Sequence, residues 1–417
     1  MKASILIITF FGLIFTSCKN NISEHKALYN PTENLAQVER EIDFWKNKIA
    51  NSGECMAYNS KLAAAYSQEF SLTAKIDALK KAENLLKKNI ADSPKNCNAY
   101  RALARNYISQ HKFKEAKTQL LIAKDIGENL RYSNLLLFDV AQELAHDDEA
   151  KLLIEKLEEV KDFNYLIRAA KWQDGKGNLD RAIELLELAK ERAENSKNQG
   201  QLTWIYSNLG DFYGHAGDLK KSKESFENAL ALNPADYYSY KGLAYMKWAA
   251  EKQGNEALSM IQKIEEHSTD PSVKLLEADI LDYSGEKAQA ADIRNLVSTQ
   301  VSSPNYGAMY HSFLIQSSID KNEIEKASML AKMELQTRET PESYALLAMT
   351  KFHQNMKKEA LDIALNEVVG KTFEPKVLLN ILPVTREVDS LNQAILVEVE
   401  EASYEIGPLA YNKLEVY

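Results

Sequence analysis

Residues 203–236 read TWIYSNLGDFYGHAGDLKKSKESFENALALNPAD, and the fold follows from this stretch. It holds two segments whose apolar residues lie three and four apart, the spacing of a helix with one buried face. Tyr206, Leu209, Gly210 and Tyr213 share a face of the first segment; Ser222, Phe226 and Ala229 share a face of the second. Gly217-Asp218 between them suits a left-handed helix stop, and Asn233-Pro234 after them suits the next helix start. Gly210 and Ser222 are small where the two helices must come close.

The same arrangement recurs along the chain. Tyr100, Leu103-Ala104, Tyr107, Ala116 and Ala123 repeat it, as do Tyr344, Leu347-Ala348 and Ala360. The small residue of the second helix serves as a ruler: Ala82, Ala116, Ala150, Ala182, Ser222, Ala257, Ala290, Ala327 and Ala360. Its steps are 34, 34, 32, 40, 35, 33, 37 and 33 residues. Further helix starts are expected at Ser93-Pro94, Asp270-Pro271, Ser303-Pro304 and Thr340-Pro341, and further turns at Gly177-Asn178, Gly254-Asn255 and Gly285-Glu286. One helix pair cannot bury its own apolar face, so the units must stack.

The unit resembles the tetratricopeptide repeat, with an aromatic residue, Leu-Gly, Tyr, Ala, Phe, Ala and Pro at fixed offsets. Tyr206 stands where that family has Trp, and Ser222 where it has its first Ala. The resemblance covers roughly residues 55–370. It implies an all-α, right-handed superhelical solenoid of antiparallel helix pairs, whose first helices line a concave groove for a peptide or a partner helix.

The array is expected to span 35–370, about nine repeats behind a cap helix striped by Leu35, Val38, Ile42, Trp45 and Ile49. Residues 371–417 read as a degenerate repeat or cap with a tail. There, a short helix from Pro375 is expected to stop at Pro383. A longer helix is expected over 387–406, with a strand at 395–399 as the competing assignment, and the tail from Leu409 has no assignment.

Composition agrees with helices. The chain has 417 residues but only 15 Gly and 9 Pro, and one core rarely grows past ~300 residues. Its formal net charge of −9 repels phosphate backbones and speaks against a nucleic-acid partner. Residues 1–17 read as a signal peptide: Lys2, then an apolar run from Ile5 to Phe15, too short for a ~20-residue membrane span. The run ends in Phe15-Thr16-Ser17-Cys18, which resembles a bacterial lipobox with Phe in place of its usual Leu. The resemblance implies lipidation of Cys18, with 18–34 as a tether. The protein is then exported and anchored to a cell-envelope membrane, the outer membrane being the expected one. The remaining cysteines, Cys55 and Cys97, open equivalent helices of neighbouring repeats. They are a candidate disulfide in an oxidising compartment, although such helices usually lie ~10 Å apart and a disulfide needs Cα atoms within ~7 Å.

No catalytic constellation is present, and no cofactor or metal is expected. The seven histidines form no zinc-type pair; His111 and His215 fall in inter-helix turns, where a solvated polar residue is the expected occupant. His146-Asp147-Asp148-Glu149 is metal-like in composition, but acids ahead of a helix also complement its dipole. The groove is expected to use Trp204, Ser207 and Asp211, then Tyr238, Lys241 and Tyr245, in one continuous concavity. Arg101, Arg105 and Lys171 extend it toward the N-terminus. Aromatic and Arg side chains are favoured anchors, while Tyr238 and Tyr245 also suit packing between units. The expected role is an envelope scaffold that docks a protein or peptide. The alternative is a glycan- or nutrient-binding lipoprotein serving an outer-membrane transporter.

Overall fold

The computed structural model describes residues 29–386 and 388–414. The lipidation candidate Cys18 and the signal segment lie outside them. The described chain is all-α. Helix α1 (Thr32–Ser52) precedes nine pairs. These are α2 (Met56–Thr73) with α3 (Ile76–Asp92), α4 (Cys97–Ser109) with α5 (Phe113–Ile126), and α6 (Leu130–Glu143) with α7 (Asp147–Leu157). Next come α8 (Phe163–Asp174) with α9 (Leu179–Ser196), α10 (Gln199–His215) with α11 (Leu219–Leu232), and α12 (Tyr237–Ala249) with α13 (Gly254–Glu265). The last three are α14 (Pro271–Tyr283) with α15 (Lys287–Val301), α16 (His311–Asp320) with α17 (Ile324–Thr337), and α18 (Pro341–His353) with α19 (Lys357–Glu367). Four helices complete the described residues: α20 (Pro375–Thr385), α21 (Asp389–Glu401), α22 (Ser403–Ile406) and α23 (Pro408–Tyr411).

All nine residues of the small-residue ruler sit in second helices and are 0% exposed. In eight of the pairs the residue five places earlier has positive φ: His111, Ala145, Gly177, Gly217, Lys252, Gly285, Asn322 and Asn355. The amide after it closes the turn on the preceding helix; the Asp218 N–H, for example, donates to the Tyr213 carbonyl at 2.8 Å. This is the left-handed stop that satisfies orphan carbonyls at a helix C-terminus. The expectation at Gly254 is corrected, since that glycine opens α13 and Lys252 makes the turn.

Close packing explains the small residues. Phe226 of α11 is fully buried as a wedge between α10 and α12. A Cβ on Gly210 or on Gly242 would lie 2.5 Å from its ring. Ser222 is tolerated at its buried site because its hydroxyl donates to the Gly210 carbonyl at 2.6 Å.

Proline marks helix starts unevenly. Pro271 and Pro341 begin α14 and α18, capped by Asp270 and Thr340. Pro94, Pro234 and Pro304 instead open turns, and the helices after them start at Cys97, Tyr237 and His311. Pro383 does not stop α20, which runs through it to Thr385. Carbonyls at that end are taken by side chains: Thr385 Oγ1 donates to the Ile381 and Leu382 carbonyls, and Asn392 Nδ2 donates to the latter at 2.8 Å. The expected 387–406 helix is interrupted at Ala402, and 395–399 is helical, with Ile395 and Val399 buried one turn apart.

The array curls until its beginning meets its later repeats. The Thr269 N–H donates to the Thr73 carbonyl at 2.7 Å, and Lys114 Nζ to the Gln336 carbonyl at 2.6 Å. Ile76 and Leu79 of α3 share one apolar cluster with Val301, Leu314 and Ile315. Residues 29 and 30, expected in the tether, are docked instead. The Tyr29 ring stacks on Tyr240 at 5.1 Å, and the Asn30 N–H reaches the Pro234 carbonyl at 2.8 Å. The concave face is thereby closed into a lumen. No described helix is long and apolar enough to cross a membrane.

Alanine for glycine inside a helix normally gains ~0.5–1 kcal/mol. At Gly242 the added methyl meets a ring already held by Gly210 on its other side. Gly242→Ala is therefore expected to destabilise the fold by about 1–3 kcal/mol, read as a lower midpoint in denaturant. A raised midpoint would show that the Phe226 wedge is looser than drawn.

Candidate functional site

First helices supply the lumen wall, because their packing face is committed to the second helices. Asp211 and His215 lie one turn apart on α10, and Tyr238, Lys241 and Tyr245 lie one turn apart on α12. Asp279 of α14, Asp320 of α16, His353 of α18 and Lys376 of α20 continue the wall, enclosing a cavity of about 800 Å³. The C-terminal segment forms its remaining side through Tyr404, Glu405, Leu409 and Lys413.

The polar groups of this wall are coupled. The Tyr238 hydroxyl donates to Asp211 Oδ2 at 2.6 Å. Lys241 Nζ lies 5.6 Å from the centre of the Tyr238 ring and donates to Ser272 Oγ at 2.9 Å. Carboxylates outnumber lysines on the lining, five to three. Burial holds the Asp211 carboxyl above its ordinary range, although the Tyr238 hydroxyl, His215 and Lys241 pull it down. Burial likewise raises Asp279. Glu374 is raised by burial and then by Glu405, whose own carboxyl is raised by burial. His215 is not the freely solvated turn residue expected. It lines the lumen 3.7 Å from Glu405, and burial lowers its pKa. The wall is therefore short of positive charge.

The expected groove residues do not form one concavity. Asp211, Lys241 and Tyr245 line the cavity just described. Trp204 and Ser207 line a second, more open cavity of about 750 Å³, and Tyr238 borders both. Trp204 is 41% exposed and meets Phe163 edge-on. Ser207 is buried and turns its hydroxyl back to the Trp204 carbonyl. Tyr245 is engaged by the tail: its hydroxyl donates to the Tyr404 carbonyl at 2.5 Å.

The N-terminal extension lies apart from both cavities. Arg101 is buried and works as a clamp between units, donating to the Glu128 carbonyl at 2.8 Å and Ser133 Oγ at 3.2 Å. Its assignment to the groove is corrected on that ground. Arg105 lies over the Tyr132 ring at 4.8 Å, and Lys171 pairs with Glu143 at 2.7 Å. Glu143 also lies within electrostatic reach of Arg338 and His111.

Cys55 is exposed and Cys97 buried, and both are free thiols; Cys97 Sγ donates to the Ala123 carbonyl at 3.3 Å. At His146, Lys117 Nζ contacts the ring nitrogen at 2.9 Å and Glu149 at 2.6 Å, placing an ammonium where a metal would have to sit. The acids 147–149 fill the first turn of α7. Sequence reasoning missed Glu374, Tyr404 and Glu405. The one signal near them is Gly407-Pro408, which marks a break but not the direction the chain takes after it.

No family model and no curated protein matches the chain. Among solved structures, the human IFIT1 dimer with m7Gppp-AAAA aligns at 16% identity over 80% of this chain and 77% of that one, with a TM-score of 0.48. YrrB, a TPR protein with an unusual peptide-binding site, aligns at 17% identity over 47% of this chain and 95% of that one, with a TM-score of 0.28. The APC/C hetero-tetramer Cut9-Hcn1 aligns at 12% identity over 92% and 94%, with a TM-score of 0.35. At these scores the likenesses carry no argument about what this chain binds.

Because the Tyr238 hydroxyl lowers the Asp211 pKa, Tyr238→Phe is expected to raise it further. Carbon-13 titration of the Asp211 carboxyl measures the shift, and an unchanged or lowered value would show that the bond is not populated. The stability cost should stay near ~1 kcal/mol, the net worth of one hydrogen bond, because Tyr238 is 46% exposed.

Proposed function

We propose that this chain is a non-catalytic binding scaffold whose lumen takes a short segment of a protein partner. The observation that carries the reading is the half-open, tyrosine-walled cavity in which carboxylates outnumber lysines. Its volume lies in the ~300–1,000 Å³ range of ligand pockets. It therefore suits a few side chains of a partner and is too small for a folded face. A segment bringing a Lys or Arg supplies the charge that the wall lacks, and its aliphatic stem can lie along the tyrosine rings. A glycan or nutrient as ligand is favoured by the cavity volume alone.

The scaffold is proposed to act at the cell envelope, tied by acyl chains on Cys18. Each buried methylene adds roughly 0.8 kcal/mol of membrane affinity. Cys18→Ser should release the protein into the soluble fraction. Retention of the variant in the membrane fraction, with no acyl mass on the wild type, sinks the anchor.

Partner capture is expected to depend on the carboxylates. A photo-crosslinker placed at position 241 should trap a partner in intact envelopes, and one at the exposed Leu152 should not. Asp211→Asn with Asp279→Asn should weaken capture about tenfold, or ~1.4 kcal/mol. The pH dependence has a definite sign. A bound cation favours ionised carboxylates, so acidification through their raised range protonates them and weakens binding. Capture that strengthens on acidification would argue against a cationic segment.

A further inference from the structure

Charge is divided unevenly along the chain. Residues 29–126 hold 16 Lys and Arg against 11 Asp and Glu, while residues 127–417 hold 32 against 48. A net charge of +5 on α1 to α5 thus adjoins −16 on the remainder.

The excess gathers on the outward side of α3. Ala82 and Leu86 are buried on the packing face of this helix. Lys80 and Lys87, two turns apart, border its outward face on one edge, and Lys81 borders it on the other. Glu83 is 7% exposed, and three ammoniums surround it: Lys87 at 2.5 Å, Lys112 at the start of α5 at 3.7 Å, and Lys80 at 3.8 Å. Gln110 Nε2 donates to the same carboxylate at 3.0 Å. One negative charge therefore answers three positive ones. Lys81 and Lys46 of α1 are exposed and stand over the Tyr66 ring at 5.4 and 6.0 Å. Among the described residues neither has an ion pair. Five lysines and one carboxylate leave this face strongly positive, a field that attracts an anionic surface.

The face also lies near the point where the chain enters the fold. Along α1, Lys46 stands about 21 Å from Thr32. The chain between Cys18 and Tyr29 reaches at most ~40 Å. Acyl chains on Cys18 would hold these repeats within reach of lipid headgroups. We propose that the lysine face of α3, with Lys46 and Lys112, rests on an anionic phospholipid surface. Lysine clusters beside a membrane anchor are attracted to acidic headgroups. The same headgroups repel the acidic repeats, so the array stands on its N-terminal end. The proposal goes beyond the lumen reading and rests on the envelope reading for the presence of a membrane.

The test uses the chain from Lys19 onward, which keeps every described residue and lacks the apolar run and the acyl chains. It should float with vesicles of equal parts phosphatidylglycerol and phosphatidylcholine, and not with phosphatidylcholine alone. Binding should be lost between about 0.1 and 1 M salt, as the screening length falls from ~10 to ~3 Å. Lys46→Gln with Lys81→Gln breaks no ion pair and should weaken binding about thirtyfold, roughly fivefold per lysine. Lys332→Gln with Lys358→Gln, exposed on α17 and α19, should leave binding unchanged. If the first pair lowers the midpoint in denaturant, Lys81→Gln alone should still cost about fivefold. Absence of flotation, equal flotation with neutral vesicles, or full binding by the Lys46 and Lys81 variants overturns the proposal. Oligomers that those variants abolish, without vesicle binding, also overturn it and assign the face to the acidic repeats of a second copy. Acyl mass on the wild type with no flotation removes the lysine face and keeps the anchor. Flotation with no acyl mass does the reverse. Since salt strips the lysine contact, Cys18→Ser should still leave salt-washed membranes.

Discussion

The structure depends on how closely consecutive helices can approach one another. Phe226 fills the gap between α10 and α12 only because Gly210 and Gly242 contribute no side chain toward it. The nine fully buried small residues of the second helices impose the same constraint along the array. With the packing edge of each first helix spent on this contact, its opposite edge is left for the interior of the superhelix. Interiors packed to crystal density leave little room for adjustment. The spacing of these small residues therefore fixes both the repeat and the direction in which functional side chains point.

Curvature then does what a flat stack would not. Hydrogen bonds from Thr269 to Thr73 and from Lys114 to Gln336 join repeats some 200 residues apart in sequence. They turn an open groove into a lumen. Charges on different repeats come to share one low-dielectric space, where their interactions are stronger than on a convex surface. The raised carboxyls of Asp211, Asp279, Glu374 and Glu405 are the result. They come from three helices, α10, α14 and α22, and from the loop before α20. No sequence window holds them together.

The tail adds a second layer. Tyr404 reaches Gly214, and Leu409 reaches the cluster around Trp248, so the lumen is narrowed by the chain's own end. The cavity wall and the segment that covers it are parts of one polypeptide.

The sequence by itself determined the repeat, because helix pairing is local. Apolar spacing, small residues and left-handed turns act within a window of about 34 residues, and each is written in residue type. It also placed Asp211 and Lys241 away from the packing face, since a helix turns ~100° per residue, and left Tyr245 open between groove and packing. It misjudged Arg101, whose guanidinium is held by a carbonyl that only the folded chain brings near it. Tertiary structure alone decided that Trp204 and Lys241 face different cavities, that Tyr29 docks on Tyr240, and that Tyr404 and Glu405 enter the lumen. Those outcomes depend on the accumulated rotation of many repeats. Each small angle is set by side-chain packing, and their sum is not encoded in any single repeat.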